Sequence, residues 1–433
     1  MAFDYEGYEP KGDKKNSDFF NDFRPRIYER RKASGIEDLV GNMRAVVLQV
    51  DPGTSIATMV ELYEMTPYRH SASYIGATHR FHVLHSRPAF PALIVMEPLS
   101  EGFEEYITRV NRMYPLSRAT PHSRYVGEIY QCANNEAVRG TLEDQAVRFE
   151  YQGEVENPFY TEDGFLFTMP SDFTGNRVGY SPLDFNDPDS LGLGGRFELT
   201  PAEQSLLDSA ADFAESSGVG ELLLGIDHMA TRILAADRED AILEFLTQVP
   251  YYFWGAYNIS DMNSSTNVNR NGSIMDDKLS PAKVFTANNT PSYVNSFENR
   301  PMPTETFVRN YGRRMHHIAI EVQDGDHAAG EKNVDFVVGA LKEKGVPFLA
   351  HVVGECKDEP NLKQIFSKHS KNTILITEYV ERCHGFDGFF TKDNVAALTE
   401  AAGRMSSSSM GRSLTRDNPD DHKNHRQIVF QRR

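Results

Sequence analysis

Cysteine is scarce in this chain, with only Cys132, Cys356 and Cys383 among 433 residues. They are far apart and odd in number, which speaks against a disulfide framework or a zinc site and predicts a reducing compartment. No stretch approaches the roughly 20 apolar residues a membrane-spanning helix needs. The opening Met1-Ala2-Phe3-Asp4-Tyr5-Glu6 lacks the basic and apolar regions of a secretory leader. Basic residues are in deficit as well: 45 Lys and Arg against 62 Asp and Glu leave a net charge of −17. That balance argues against nucleic acid or an anionic membrane as a partner. The expectation is a cytoplasmic protein, with neither partner and with homo-oligomerisation left open. A hydrophobic content of 39% with 11% aromatics is that of a globular chain, long enough for two or three domains.

The polar first ~40 residues, including Lys11-Gly12-Asp13-Lys14-Lys15, read as an arm laid over the body (1–40). Strand-like runs begin at Met43-Arg44-Ala45-Val46-Val47-Leu48 and recur at Arg124 to Tyr130, with an amphipathic segment around Phe103 to Met113 (domain 41–199). Thr200-Pro201-Ala202-Glu203 carries the N-cap, first-turn proline and capping-box acid of a helix start, predicting a connector helix that stops near Gly218. Beyond it, a strand over Leu222 to Ile233 leads to Asp237 and to Ile242, Phe245, Leu246 and Val249 at helical spacing. A second strand over His316 to Val322 precedes Val334, Val337, Val338 and Leu341, ended by Gly345. Strand, helix and further strands, twice, predict tandem βαβββ modules in an α+β fold. The polar Asp261 to Asn271 reads as a loop between them, and the serine-rich segment after Gly403 as a tail (domains 200–403 and 404–433).

Two phrases match across these units: Ile226-Asp227-His228-Met229-Ala230 and Met315-His316-His317-Ile318-Ala319. By alternation His317 shares a strand face with the small Ala319 and not with His316 and Ile318, which leaves room beside the imidazole. Glu378 interrupts the apolar run Ile374 to Val380, and a lone carboxylate there needs a partner, either a cation or an arginine such as Arg382 or Arg314. Two imidazoles and one carboxylate form the facial triad that holds Fe(II) with positions open for substrate and O₂. His79, His82 and His85 compete as a cluster, but His82 falls on the other strand face, so a hydrogen-bonded strand is the better reading there.

The C-terminal half resembles the vicinal oxygen chelate superfamily, and within it the 4-hydroxyphenylpyruvate dioxygenase family. The resemblance rests on Ile226-Asp227-His228, His316-His317-Ile318-Ala319, Gln364-Ile365-Phe366-Ser367-Lys368, Thr377-Glu378-Tyr379-Val380-Glu381-Arg382 and Gly385-Phe386-Asp387-Gly388-Phe389-Phe390 with the closing segment Asn394 to Ala402. It implies two barrel-like halves and Fe(II) on His228, His317 and Glu378. It also implies oxidative decarboxylation of a 2-oxo acid by O₂, with hydroxylation of the same molecule. Gln364 would then touch the chelating end and act in catalysis, while Phe366, Phe389 and Phe386 would wall the pocket. The chain departs from the family where His316 replaces the glutamine before the second histidine. Ser280 and Asn295 are the stand-ins for the family's ring-contacting residues. An extradiol catechol dioxygenase and a metal-free binding protein of the same fold are the competing readings.

Overall fold

The computed structural model describes residues 7–13, 21–88, 90–99, 124–150, 164–271, 280–291, 301–357 and 359–402. Asn295, the segment Phe103 to Met113 and the serine-rich tail lie outside the described residues. In chain order the arm holds β1 (Lys11–Gly12) and α1 (Arg24–Ser34). The first half then runs β2 (Val40–Gln49), α2 (Ser55–Met65), β3 (Arg69–Ile75), β4 (His79–His85) and β5 (Ala92–Pro98). It continues with β6 (Arg124–Cys132), α3 (Asn135–Glu143), β7 (Leu166–Phe167), β8 (Arg177–Ser181) and β9 (Gly195–Phe197). The connector is α4 (Pro201–Ser216), where Thr200 and Glu203 form the expected capping box, followed by Gly218 at φ +77° and α5 (Val219–Leu222).

The second half begins β10 (Leu223–Arg232), α6 (Arg238–Gln248), β11 (Tyr251–Ile259), β12 (Ser264–Asn271) and β13 (Ala282–Asn288). After α7 (Pro303–Tyr311) come β14 (Arg314–Val322), the short hairpin β15 (Asp326–Ala328) and β16 (Glu331–Lys332), and α8 (Asn333–Lys344), ended by Gly345 at φ +101°. β17 (Asn361–Phe366), β18 (Ile376–Cys383) and the helix α9 (392–402) close it. The tandem βαβββ plan is present in both halves. One sheet has the order β7-β8-β6-β2-β5-β4-β3-β9, the other β1-β11-β12-β13-β10-β14-β18-β17. In each, the first strands of two modules meet antiparallel at the centre (β2 with β6, β10 with β14), and each runs parallel to the last strand of its own module.

Two sequence expectations are corrected. Ser264 to Asn271 is an interior strand rather than a loop, hydrogen-bonded to β11 and β13 on its two sides. Its polarity concealed it, since Asn267 and Asn269 are buried and donate to the carbonyls of Phe285 and Lys283 at 3.1 and 3.2 Å. Cys356 and Cys383 form a disulfide, with Cα atoms 5.8 Å apart, against the expectation of none. β17 folds back on β18 and brings together two cysteines that are 27 positions apart. Cysteine usage therefore no longer supports a reducing compartment. Among the described residues no helix is long and apolar enough to cross a membrane.

The arm covers what would be the open edge of the second sheet. β1 pairs parallel with β11, and a Cβ on Gly12 would stand 2.2 Å from the Ala256 carbonyl oxygen, so only glycine fits at φ +84°. The outward faces of β10 and β14 (Ile226, Met229, Ile318, Ile320) join Val46, Leu48 and Leu93 of the first sheet in one core spanning both halves. Across that junction Lys283 of β13 pairs with Glu128 of β6, both fully buried, with the ammonium 5.0 Å from the Tyr125 ring centroid. Removing one member of a buried pair strands the other. Lys283→Met should therefore lower unfolding free energy by about 3–5 kcal/mol, and the double variant with Glu128→Leu should recover most of it. Urea denaturation checks this; equal losses in the single and double variants would show that the pair is not the source.

Candidate metal centre

The inward face of the second sheet carries the site, and two irregularities in its central strands build it. Ile226 pairs with Ile320 and His228 with Ala319, so Asp227 is an extra residue in β10. Ala230 pairs with His317 and Thr231 with Met315, so His316 is an extra residue in β14. A bulge of this kind turns two successive side chains toward the same side. His316 consequently lines the cavity together with His317, where strict alternation had predicted opposite faces. In both strands the extra residue reaches the histidine that follows it. Asp227 Oδ1 lies 2.6 Å from His228 Nδ1, and His316 Nδ1 lies 2.9 Å from His317 Nδ1.

Those contacts leave Nε2 of each imidazole pointing at Glu378, which stands opposite Ala319 in β18. His228 Nε2 is 3.1 Å and His317 Nε2 3.2 Å from Glu378 Oε2. The small Ala319, between the two strands that carry His228 and Glu378, makes the room. Burial disfavours charge on His228, but Glu378 and Asp227 on either side of its ring push its pKa up to about 9. Its Nε2 and both oxygens of Glu378 are buried without a hydrogen-bond partner. Burial pushes the Glu378 carboxyl up and the His317 and His316 imidazoles well down, keeping the latter two neutral. Burial also opposes charge on Asp227, but Arg382 and His228 hold its carboxyl well below the usual range. Arg382 grips Asp227 with two hydrogen bonds of 2.7 and 2.8 Å, so the arginine weighed as a partner for Glu378 serves the ligand's orienting acid instead.

The donor set fits a divalent cation. The three groups offer ligand atoms within 4.8 Å of one another, all buried, and His228 Nε2 and both Glu378 oxygens have no hydrogen-bond partner. A second acidic group among the described residues, Asp324, Glu381 and Cys383, is otherwise engaged: Glu381 accepts from the Gly325 and Val334 amides, and Cys383 is in the disulfide. His79, His82 and His85 form no such set. His82 meets Ser73 and Ser55, His85 faces the Phe185 carbonyl, and His79 faces Thr78.

Aromatic rings enclose the three groups. Phe366 packs on His317 at 4.8 Å between centroids, and Phe389 and Phe390 pack on His228 at 5.5 and 5.2 Å. Phe389 holds a left-handed backbone at φ +63°, a strained turn that sets both phenylalanines against one imidazole. Phe390 lines the cavity, whereas Phe389 sits behind His228 against Trp254, and Phe386 is a partly buried neighbour of that cluster. Gln364 reaches the cavity with a buried Oε1 that has no hydrogen-bond partner. Ser280 is misplaced by the sequence reading: it accepts hydrogen bonds from the Met43 amide and Asn271, at the junction of the halves, and does not line this cavity. Absent from that reading were Arg232, Ser264, Thr266, Thr286, Thr304 and Phe390. Arg232 was findable, since it follows His228 by four residues on one strand. Thr266 was hidden by the loop assignment.

No family model matches the chain, and no curated protein matches it. Among solved structures it is similar to a triple mutant of 4-hydroxymandelate synthase from Streptomyces coelicolor, with TM-score 0.56 and 17% identity over 85% of this chain and 99% of that one. It is also similar to a xylose isomerase-like TIM barrel/4-hydroxyphenylpyruvate dioxygenase fusion protein, with TM-score 0.54 and 11% identity over 85% of this chain and 53% of that one. The chain thus has the vicinal oxygen chelate fold in its two-halved form. Within that fold, its paired halves follow the arrangement of 4-hydroxymandelate synthase.

Because Asp227 fixes the His228 ring, Asp227→Asn should lower divalent-metal affinity about 10–100-fold. His79→Ala and His85→Ala should leave it unchanged. Anaerobic metal titration reads both; unaltered affinity in D227N would remove Asp227 as the group that orients the ligand.

Proposed function

We propose that the protein is a non-haem Fe(II) dioxygenase that oxidatively decarboxylates a 2-oxo acid and hydroxylates the same molecule. An arylpyruvate such as 4-hydroxyphenylpyruvate is the leading substrate class. One observation carries the reading: His228 Nε2 and both Glu378 oxygens face each other, buried and without hydrogen-bond partners, with His317 Nε2 beside them. A cation satisfies all of them at once, and two imidazoles with one carboxylate suit Fe(II). The fold shared with 4-hydroxymandelate synthase supports the same choice.

Bound Fe(II) supplies Lewis acidity toward a chelating 2-oxo acid and the electrons that activate O₂. In the overall balance CO₂ leaves, one oxygen atom enters the carboxylate that remains and the other becomes the new hydroxyl. The side chains of this chain bind and shield. Gln364 presents its amide to the chelating end, Phe366 and Phe390 exclude water from the reacting atoms, and Asp227 keeps the His228 proton on Nδ1. Val395, Leu398 and Thr399 of α9 form part of the cavity wall, which makes this helix a lid over the substrate.

Purified anaerobically, the protein should hold about one Fe(II) per chain, and His228→Ala, His317→Ala and Glu378→Ala should each lose metal and activity while staying folded. Full iron occupancy in any variant would remove that residue from the ligand set. Oxygen uptake and CO₂ release should follow arylpyruvates or aliphatic 2-oxo acids with no cosubstrate. Turnover of catechols alone, or strict dependence on added 2-oxoglutarate, would overturn the reading. Truncation after Cys383 should abolish turnover and truncation after Met405 should retain most of it. Equal activity of the two would rule out the lid.

A further inference from the structure

Strand register lays three rows of side chains across the inward face of the second sheet. The first is Phe366, Glu378, Ala319, His228 and Ala282; the second is Ile376, His317, Ala230, Val284 and Val268. The third, farthest from Glu378, is Arg314, Arg232, Thr286 and Thr266. Rows two residues apart are separated by about 7 Å, so Arg232 lies about 13 Å along the strand from His228. The first two rows are apolar apart from the metal ligands, whereas the third is polar. Ser264 and Thr304 add further hydroxyls to that end of the cavity, and Thr286 Oγ1 is buried with no hydrogen-bond partner.

Arg232 is the unusual member. Its side chain lines the cavity at 6% exposure, with the guanidinium 4.8 Å from the Phe307 ring centroid. Among the described residues no carboxylate pairs with it and no hydrogen bond reaches it; Arg314 stands opposite it on β14, and its other charged or titratable neighbours are His316, His317 and Tyr311. A buried unpaired cation costs several kcal/mol, and a planar guanidinium matches a carboxylate through two parallel hydrogen bonds. We propose that Arg232, with the hydroxyls of Thr286, Thr266 and Thr304, is an anion subsite at the far end of the cavity, and that the substrate is a short 2-oxo acid bearing a second carboxylate opposite its chelating end. This rests on reading His228, His317 and Glu378 as the chelate site, and it replaces a phenol-ended substrate with a carboxylate-ended one.

The test uses matched pairs differing only at the far end: 4-carboxyphenylpyruvate against phenylpyruvate, and 2-oxoadipate against 2-oxohexanoate. Calorimetric binding to the full chain, with and without iron, should favour each diacid by about tenfold or more, the size of one charge-assisted hydrogen-bond pair. Arg232→Met should bring the members of each pair to within about threefold while keeping wild-type iron content and a melting temperature at or above wild type, because it removes an unpaired buried charge. Arg232→Gln should lose the preference in the same way, and it decides the matter if the methionine variant does not fold. Equal binding of the two members by wild type overturns the subsite, as does an undiminished diacid preference in R232Q. A variant that melts lower and weakens both members alike overturns it too, because Arg232 is then structural. An Arg232-dependent diacid preference without iron supports the subsite even if no iron binding or turnover is found, which separates its fate from that of the dioxygenase reading.

Discussion

Three buried side chains with donor atoms turned toward one another are the constraint around which the second half is arranged. Desolvating the Glu378 carboxylate costs several kcal/mol, and neither of its oxygens has a hydrogen-bond partner to offset it. The surroundings hold this frustrated arrangement in place. Arg382 clamps Asp227 and Asp227 clamps His228. Phe366, Phe389 and Phe390 then leave the imidazoles no alternative rotamer space. An arrangement of this kind, maintained from several directions, would be ready for a cation before one arrived.

The first half clarifies what the second one does with the same architecture. Its central strands meet in the same antiparallel fashion, but the inward face is filled by Ala45, Val47, Ile94, Ile129, Phe165 and Phe167, and Phe185 packs beside them. A sheet curled around apolar side chains is a core. A sheet curled around two bulged histidines and a carboxylate is a cavity. The halves are bound to each other by one continuous apolar core and by the Lys283–Glu128 pair, so the filled half braces the hollow one. The arm contributes as well: Arg31 of α1 donates to the Leu246 carbonyl at the end of α6, behind the strands that line the cavity.

Polarity is divided along the cavity. The ligand end is ringed by phenylalanines, whereas the opposite end, where β10, β13 and β12 present Arg232, Thr286 and Thr266, is rich in hydroxyls and carries a cation. Aromatic walls shield the two imidazoles and the carboxylate, and polar groups at the far end would orient whatever enters. Thr304 of α7 and Leu398 of α9 reach the same space from outside the sheet, so two helices complete a cavity that the strands only begin.

Much of this was legible in the chain itself. The paired His phrases, the lone carboxylate among apolar residues, the capping box at Thr200 and the strand–helix periods are local patterns, and local patterns report the backbone's own preferences. What alternation could not supply were the bulges at Asp227 and His316, because an extra residue is defined by the partner strand and not by its own sequence. Polar β12 was invisible for a related reason: its asparagines are satisfied by carbonyls of β13, which only pairing brings near. The Cys356–Cys383 bond likewise depended on β17 folding back on β18. Residue types and their spacing decided which groups were available for chemistry. Long-range register decided which of them faced one another, since contacts between strands far apart in sequence are made only when the whole sheet closes.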